Sequence, residues 1–160
     1  MTQILAQFSA KQGTLLTTRS LNFSDAEQIL ALETAAHSHP WNAARVNTAL
    51  EKYQGVGLLD GEKLVGFAFV MSVVGEAELF DFVVDPQCQG QGFGYAFIEW
   101  LIEYIGQDNE RFFLEVRVSN TPAITVYENA GFCEVGVRHN YYPAKKGRED
   151  ALLMAIELFR

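Results

Sequence analysis

Val83-Val84-Asp85-Pro86-Gln87-Cys88-Gln89-Gly90-Gln91-Gly92-Phe93-Gly94 carries the decisive reading of this chain. A β-branched, aromatic-rich run ends at Asp85-Pro86, three alternating glycines follow, and a helical pattern begins directly after them. Strand, glycine turn and helix N-terminus, in that order, expose consecutive backbone N–H groups to a phosphate. Glycine suits the turn because it has no Cβ to block a ligand or to penalise positive φ. Two familiar phosphate signatures are excluded. Counted from Gly90 or Gly92, the last position of G-x-G-x-x-G falls on Tyr95 or Phe97, and no lysine lies between Lys63 and Lys145 to complete a P-loop. Gln89-x-x-Gly92-x-Gly94 remains. Taken alone it is open between a phosphate cradle and a tight turn that binds nothing.

Working outward, Ala77 to Asp85 reads as the strand feeding the turn, and Phe93, Phe97, Leu101, Tyr104 and Ile105 fall at helical spacing after it. Upstream, Thr14 to Arg19 reads as a first strand and Ser24-Asp25-Ala26-Glu27 as a capping box opening an amphipathic helix. His39-Pro40-Trp41 ends that helix, and a second runs from about Asn42 to Tyr53. Gly55 to Asp60 and Lys63 to Ser72 form a hairpin around Asp60-Gly61, a type I′ pair. Downstream, Arg111 to Val118 is a strand. Asn120-Thr121-Pro122 opens a helix that Gly131 closes, and two strands follow at Phe132 to Tyr141 and Glu149 to Leu158. With no repeat or linker, residues 1–160 are expected to form one α/β domain, a mixed central β-sheet flanked by helices on both faces.

Composition narrows the function classes. Twenty acidic against 12 basic residues give a net charge of −8, which opposes the phosphate neutralisation that nucleic-acid binding requires. Such acidity either favours a cationic partner or only maintains solubility. No apolar run approaches a membrane span, Met1 to Gln7 carry no basic n-region, and two cysteines are too few for a disulfide framework, so a cytoplasmic location is expected.

Several residues could carry chemistry. Glu115 shares a strand face with Phe113 and Arg117; a carboxylate in mid-strand is costly unless it is paired, with Arg117 the obvious partner, or used. Tyr127 lies seven residues after Asn120 on the same helix face; a phenol there either packs or donates a proton to a leaving thiolate. Asp81 shares a face with Leu79 and Val83, as either an acceptor for a substrate amine or a solvated position. His37-x-His39 lacks a third ligand at plausible spacing, so no metal is expected, and Cys133 reads as core.

Gln89-x-x-Gly92-x-Gly94, then Leu114-Glu115-Val116, Ser119-Asn120 and Ala123-Ile124-x-x-Tyr127-Glu128-x-x-Gly131-Phe132, resemble the GNAT superfamily of acetyl-CoA-dependent N-acetyltransferases. Pro40-Trp41, Leu79-Phe80, Asn140-Tyr141-Tyr142-Pro143 and Gly147 to Ala151 are similar to its RimI-type branch, which acetylates the N-terminal alanine of ribosomal protein bS18. The resemblance implies a GNAT fold, acetyl-CoA as co-substrate, and a basic bS18-like protein N-terminus as partner. It implies Glu115 as general base and Tyr127 as general acid. Phe82, Val83 and Val84 would hold acetyl-CoA along the strand, while Gly90, Gln91, Gly92, Phe93, Gly94 and Tyr95 cradle its pyrophosphate and Asn120 adds a contact. Trp41, Asp81 and Tyr142 would meet the substrate, though Trp41 equally fits as a plug between two helices. The loop departs from its relatives: Gly90 and Tyr95 stand where many carry cations, which leaves more of the binding to backbone N–H groups and the helix dipole.

Overall fold

The computed structural model describes residues 2–158. Eight strands form one mixed sheet in the order β1-β2-β3-β4-β5-β6-β8-β7, with four α-helices, α1 to α4, between them. The chain divides into two compact units, one holding the residues up to Met71 together with Asp81–Phe97, the other Ser72–Phe80 together with the chain from Ile98 onward.

In the first unit, β1 (Ile4–Ser9) and β2 (Leu15–Ser20) form an antiparallel hairpin. The sequence reading missed β1, whose side chains are exposed or half-buried throughout and show no clean alternation. The expected capping box is displaced: Asn22 and Asp25 form it, around a 3-10 turn at Phe23–Asp25, and α1 (Ala26–Ala36) follows. Asp25 is drawn there because Arg19 holds both its oxygens at 2.9 Å while its Oδ2 accepts the Asn22 N–H at 3.0 Å. Burial works to raise the Asp25 pKa, but Arg19 and the Asn22 N–H hold it below the ordinary carboxylate value. α2 (Ala43–Lys52) starts where the Asn42 side chain accepts the Arg45 N–H at 2.9 Å, as a good N-cap should.

β3 (Gln54–Asp60) and β4 (Lys63–Val73) form the expected hairpin. Its turn is not type I′. Of the two central residues, Gly61 and Glu62, only Gly61 has positive φ, at 63°, the pattern of a type II′ turn with glycine first. Leu64 to Val70 of β4 are buried without interruption, and Phe67 packs on Phe69 with ring centroids 5.6 Å apart. β5 (Glu76–Val84) and α3 (Phe93–Gly106) each run through both units, and within the first Phe82 stacks on Phe97 at 5.1 Å.

In the second unit, β6 (Arg111–Arg117) pairs in parallel with β5 from Glu76↔Arg111 to Leu79↔Leu114, and antiparallel with β8 (Arg148–Glu157). β7 (Cys133–Pro143) pairs antiparallel with β8 as the terminal strand of the sheet. α4 (Thr121–Ala130) has the expected punctuation: Asn120 caps it by accepting the Ala123 N–H at 3.3 Å, and Gly131 ends it with φ 111°. Ile98, Leu101, Phe112, Leu114 and Met154 are fully or nearly fully buried and form this unit's core.

Candidate active site

The glycine turn is built by its flanks. Asp85 closes β5: its backbone N–H donates to the Val65 carbonyl at 2.7 Å, and its Oδ1 accepts the Gln87 N–H at 2.9 Å, which fixes the short 3-10 turn Pro86–Cys88. Gly90 and Gly92 then take φ of 80° and 77°, conformations in which a Cβ is strained. Gly94 does not share that requirement; it is helical, and a Cβ there would meet only Val84 Cγ2 at 3.9 Å. The first helical bond runs from the Ala96 N–H to the Gly92 carbonyl at 3.1 Å. The N–H groups of Phe93, Gly94 and Tyr95 therefore precede the intrahelical ladder at the positive end of the α3 dipole. Burial and Asp85 push the Cys88 thiol pKa up, against a role as nucleophile.

The loop is braced by a segment that sequence reasoning did not connect to it. Gln12, in the β1–β2 turn, donates from Nε2 to the Gly90 carbonyl at 3.3 Å. A Cβ on Gly92 would sit 3.5 Å from Lys11 Cβ.

Asp81 is not the solvated position that was one expectation. It is 9% exposed and faces a buried cluster. Its Oδ1 accepts the Phe82 N–H at 3.0 Å and lies 3.2 Å from His37 Nε2. His37 Nε2 lies 3.8 Å from Glu33 Oε1, which accepts the Trp41 N–H at 3.1 Å. The Phe82 N–H is thereby already engaged by a side chain of its own strand. Glu33 is 1% exposed, and burial with Asp81 beside it pushes its pKa up to about 9. Oε2 of Glu33 and Oδ2 of Asp81 have no donor among the described residues. A proton on Glu33 at neutral pH bridges the two carboxyl groups and removes that deficit. One donor atom each from Glu33, His37 and Asp81 lie within 4.8 Å of one another, so among the described residues this trio, and not His37 with His39, is the group able to hold a cation. His39 turns to Ser38 at 3.1 Å. Trp41 is half-buried, stacks on Phe69 at 5.9 Å and lies under the Arg45 guanidinium at 4.6 Å, filling the α1–α2 junction.

In the second unit, Glu115 has a different partner from the one the sequence suggested. Its Oε1 accepts Arg138 Nε at 3.0 Å, from β7. Arg117 instead donates to the Pro143 carbonyl at 2.6 Å, pairs with Glu149 at 3.4 Å and lies over the Tyr142 ring at 4.5 Å. Glu149 also accepts from the Ser119 hydroxyl at 2.7 Å, which ties the turn before α4 to β8. Glu78 lies on the same strand face as Glu115, and burial followed by the Glu115 charge raises its pKa while Arg138 counters. Tyr127 is 6% exposed and packs edge-to-face on Phe132 at 5.7 Å, with Asn120 capping its helix. Cys133, expected in the core, is exposed, because β7 ends the sheet and leaves most of its side chains to solvent.

Arg138, Glu78 and the Lys11–Gln12 turn were not singled out from the sequence. Each matters through a strand pairing or a loop contact that no local pattern signals.

The Acetyltransferase (GNAT) family model matches residues 26–132. The chain is 39% identical over 144 residues to the ribosomal protein bS18-alanine N-acetyltransferase of Escherichia coli K12, covering 89% of this chain and 97% of that protein. The Haemophilus influenzae protein of the same name is 38% identical over 137 residues, covering 84% and 93%. The crystal structure of the Escherichia coli enzyme superposes with a TM-score of 0.84 at 38% identity, covering 91% of this chain and 95% of that one. Spermidine N-acetyltransferase of Vibrio cholerae, in complex with CoA and spermine, shares the fold alone at 20% identity, with a TM-score of 0.76 and coverage of 89% and 95%. The extent of the family match and the level of identity place this chain in the GNAT family of acetyltransferases.

Proposed function

We propose that this acetyltransferase moves the acetyl group of acetyl-CoA onto the α-amine of an N-terminal alanine, that of ribosomal protein bS18. The observation that carries the reading is the likeness, over nearly the whole chain, to proteins named for that reaction. The residues agree with the chemistry. A protein α-amine titrates near pH 8 and is largely protonated at neutral pH, so a base must take its proton before it attacks the thioester. Glu115 takes that role, directly or through water. The freed nitrogen forms the amide bond as the carbon–sulfur bond breaks, and Tyr127 donates its phenolic proton to the departing thiolate. No acyl-enzyme is required.

Phe82, Val83, Val84 and Gly90 to Tyr95 hold the co-substrate, with Asn120 adding a contact, and Trp41, Asp81 and Tyr142 meet the peptide. The charge of −8 favours a basic partner and disfavours RNA, so free bS18 is modified before ribosome assembly, in the cytoplasm.

The test is mass-spectrometric acetylation of matched peptides beginning Ala-Arg, with free or blocked N-termini, alongside lysine-bearing peptides and polyamines. Acetylation restricted to free N-termini, and a fall of roughly 10²–10⁴-fold in kcat for Glu115→Gln, are expected. Acetylation that persists on blocked peptides refutes the N-terminal specificity; Glu115→Gln at the wild-type rate refutes the base.

A further inference from the structure

The phosphate loop has no cation of its own. No lysine or arginine lies between Lys63 and Arg111, so Gly90 to Tyr95 carry no positive side chain. A diphosphate seated on bare N–H groups gains from the helix dipole but lacks a neutralising charge.

The β1–β2 turn brings a cation to the same place. Its backbone is fixed by two bonds, Ala10 N–H to the Thr14 carbonyl and Gly13 N–H to the Ala10 carbonyl, both 2.8 Å, with Gly13 at φ 92°. Gln12 then fastens the turn to the loop through the Gly90 carbonyl at 3.3 Å. At Gly92 the two segments come within van der Waals reach: an added Cβ would lie 3.5 Å from Lys11 Cβ and 3.8 Å from its N. Lys11 thus starts its flexible four-carbon stem beside the glycine that bends the loop, and its side chain is exposed. Lys63, the other lysine near this turn, sits in a hairpin with Asp60 and Glu62 that cancels its charge locally.

We propose that Lys11 is a co-substrate-binding residue whose ammonium, delivered by the β1–β2 turn, neutralises the diphosphate of acetyl-CoA in place of the missing loop cations. The inference rests on the acetyltransferase reading above. Lys11 contributes binding charge and no chemistry, so it acts on KM and leaves kcat alone.

The experiment is steady-state kinetics of the full chain with Lys11→Gln, Lys11→Glu and, as a charge control on α2, Lys52→Gln. Acetyl-CoA is compared with acetyl-pantetheine, a thioester without the diphosphate. Lys11→Gln is expected to raise KM for acetyl-CoA roughly 3–10-fold and Lys11→Glu more, with kcat within about twofold and a smaller effect at high salt. With acetyl-pantetheine the variants and wild type converge, and Lys52→Gln matches wild type throughout. Unchanged melting temperatures show that an exposed turn residue has been altered without unfolding. An acetyl-CoA KM for Lys11→Gln equal to wild type overturns the inference alone, as does an equal loss with acetyl-pantetheine. A wild-type protein that neither binds nor turns over acetyl-CoA overturns the acetyltransferase reading, and this inference with it.

Discussion

Gly66→Ala tests whether the strand assigned to the co-substrate is held by its neighbour. Gly66 lies in the buried run of β4, and a Cβ there would stand 2.6 Å from the Val83 carbonyl oxygen, 3.5 Å from Val84 Cα and 3.6 Å from Leu58 Cβ. A carbon–oxygen contact relaxes only near 3.3 Å, so β5 must yield by roughly 0.7 Å at Val83. The obstacle is backbone within a sheet, and no side-chain rotamer can relieve it. Overpacking of this kind costs about 1–3 kcal/mol, while stiffening the unfolded chain returns about 0.4–1 kcal/mol. The net loss, about 1–2 kcal/mol, lowers Tm by roughly 2–8 °C in a protein of this size. Function suffers more than stability. A shift of this size at the strand proposed to hold the thioester misplaces the reacting carbon, and misplacement near 1 Å can cost about 10²-fold. Urea unfolding gives the stability change, and kinetics at a temperature where both proteins are fully folded give the catalytic one. A Gly66→Ala protein with the wild-type urea midpoint and wild-type KM and kcat for acetyl-CoA refutes the reasoning, because β5 would then be free to move without consequence.

Glu33 makes stability pH-dependent in an unusual direction. Its folded pKa, about 9, lies above the unfolded value, so the protonated form supports folding at low pH and that support is lost as pH rises from about 4.5 through 9. Thermal melts in EDTA from pH 5 to 9 should show wild type weakening toward alkaline pH and Glu33→Gln showing a flatter profile; equal slopes contradict the shared proton. Asp25→Asn should destabilise by about 3 kcal/mol in urea unfolding at pH 7, because it leaves the mostly buried Arg19 guanidinium without its bidentate partner. The same pair gives wild type an acid-labile contribution, since the depressed Asp25 pKa means stability is lost as pH falls below the ordinary carboxylate range. Gly94→Ala should raise Tm slightly, by the equivalent of about 0.5–1 kcal/mol, and leave KM for acetyl-CoA unchanged, because Gly94 is helical and has room for a methyl group. A large KM increase would show that the co-substrate approaches Gly94 more closely than its helical backbone implies.

Elements punctuated by local chemistry were legible in the sequence: α4 between Asn120 and Gly131, α2 after Asn42, and the turn at Gly90 and Gly92. In each, a capping side chain or a glycine φ acts on residues within one turn, so the sequence shows cause and effect together. The misreadings share the opposite property. The local pattern reads as a box beginning at Ser24, but Arg19, which holds Asp25, approaches from another strand. The apolar segment around Cys133 reads as core, but β7 ends the sheet and most of its side chains are exposed. β1 was overlooked because a hairpin at the other end of the sheet can be stable without an alternating pattern.

The same distinction separates Glu33 from Glu115. Glu33 lies in α1 and Glu115 in β6, and the fold treats them differently. Glu33 meets Asp81, 48 residues on, and carries a proton; Glu115 meets Arg138, 23 residues on, and is clamped by a cation. The two carboxyl groups thus differ in their partner, a second acid in one case and a guanidinium in the other. Charge allocation extends the point. Every arginine among the described residues is already committed: Arg19 to Asp25, Arg45 to Trp41, Arg111 to Glu157, Arg117 to Glu149, Arg138 to Glu115 and Arg148 to the Asn140 and Tyr141 carbonyls. If this acidic protein binds acetyl-CoA as proposed, its cation has to come from the lysines, and the β1–β2 turn is where the fold sets one beside the glycine loop. On that proposal, the hairpin least visible in the sequence supplies what the most visible motif lacks.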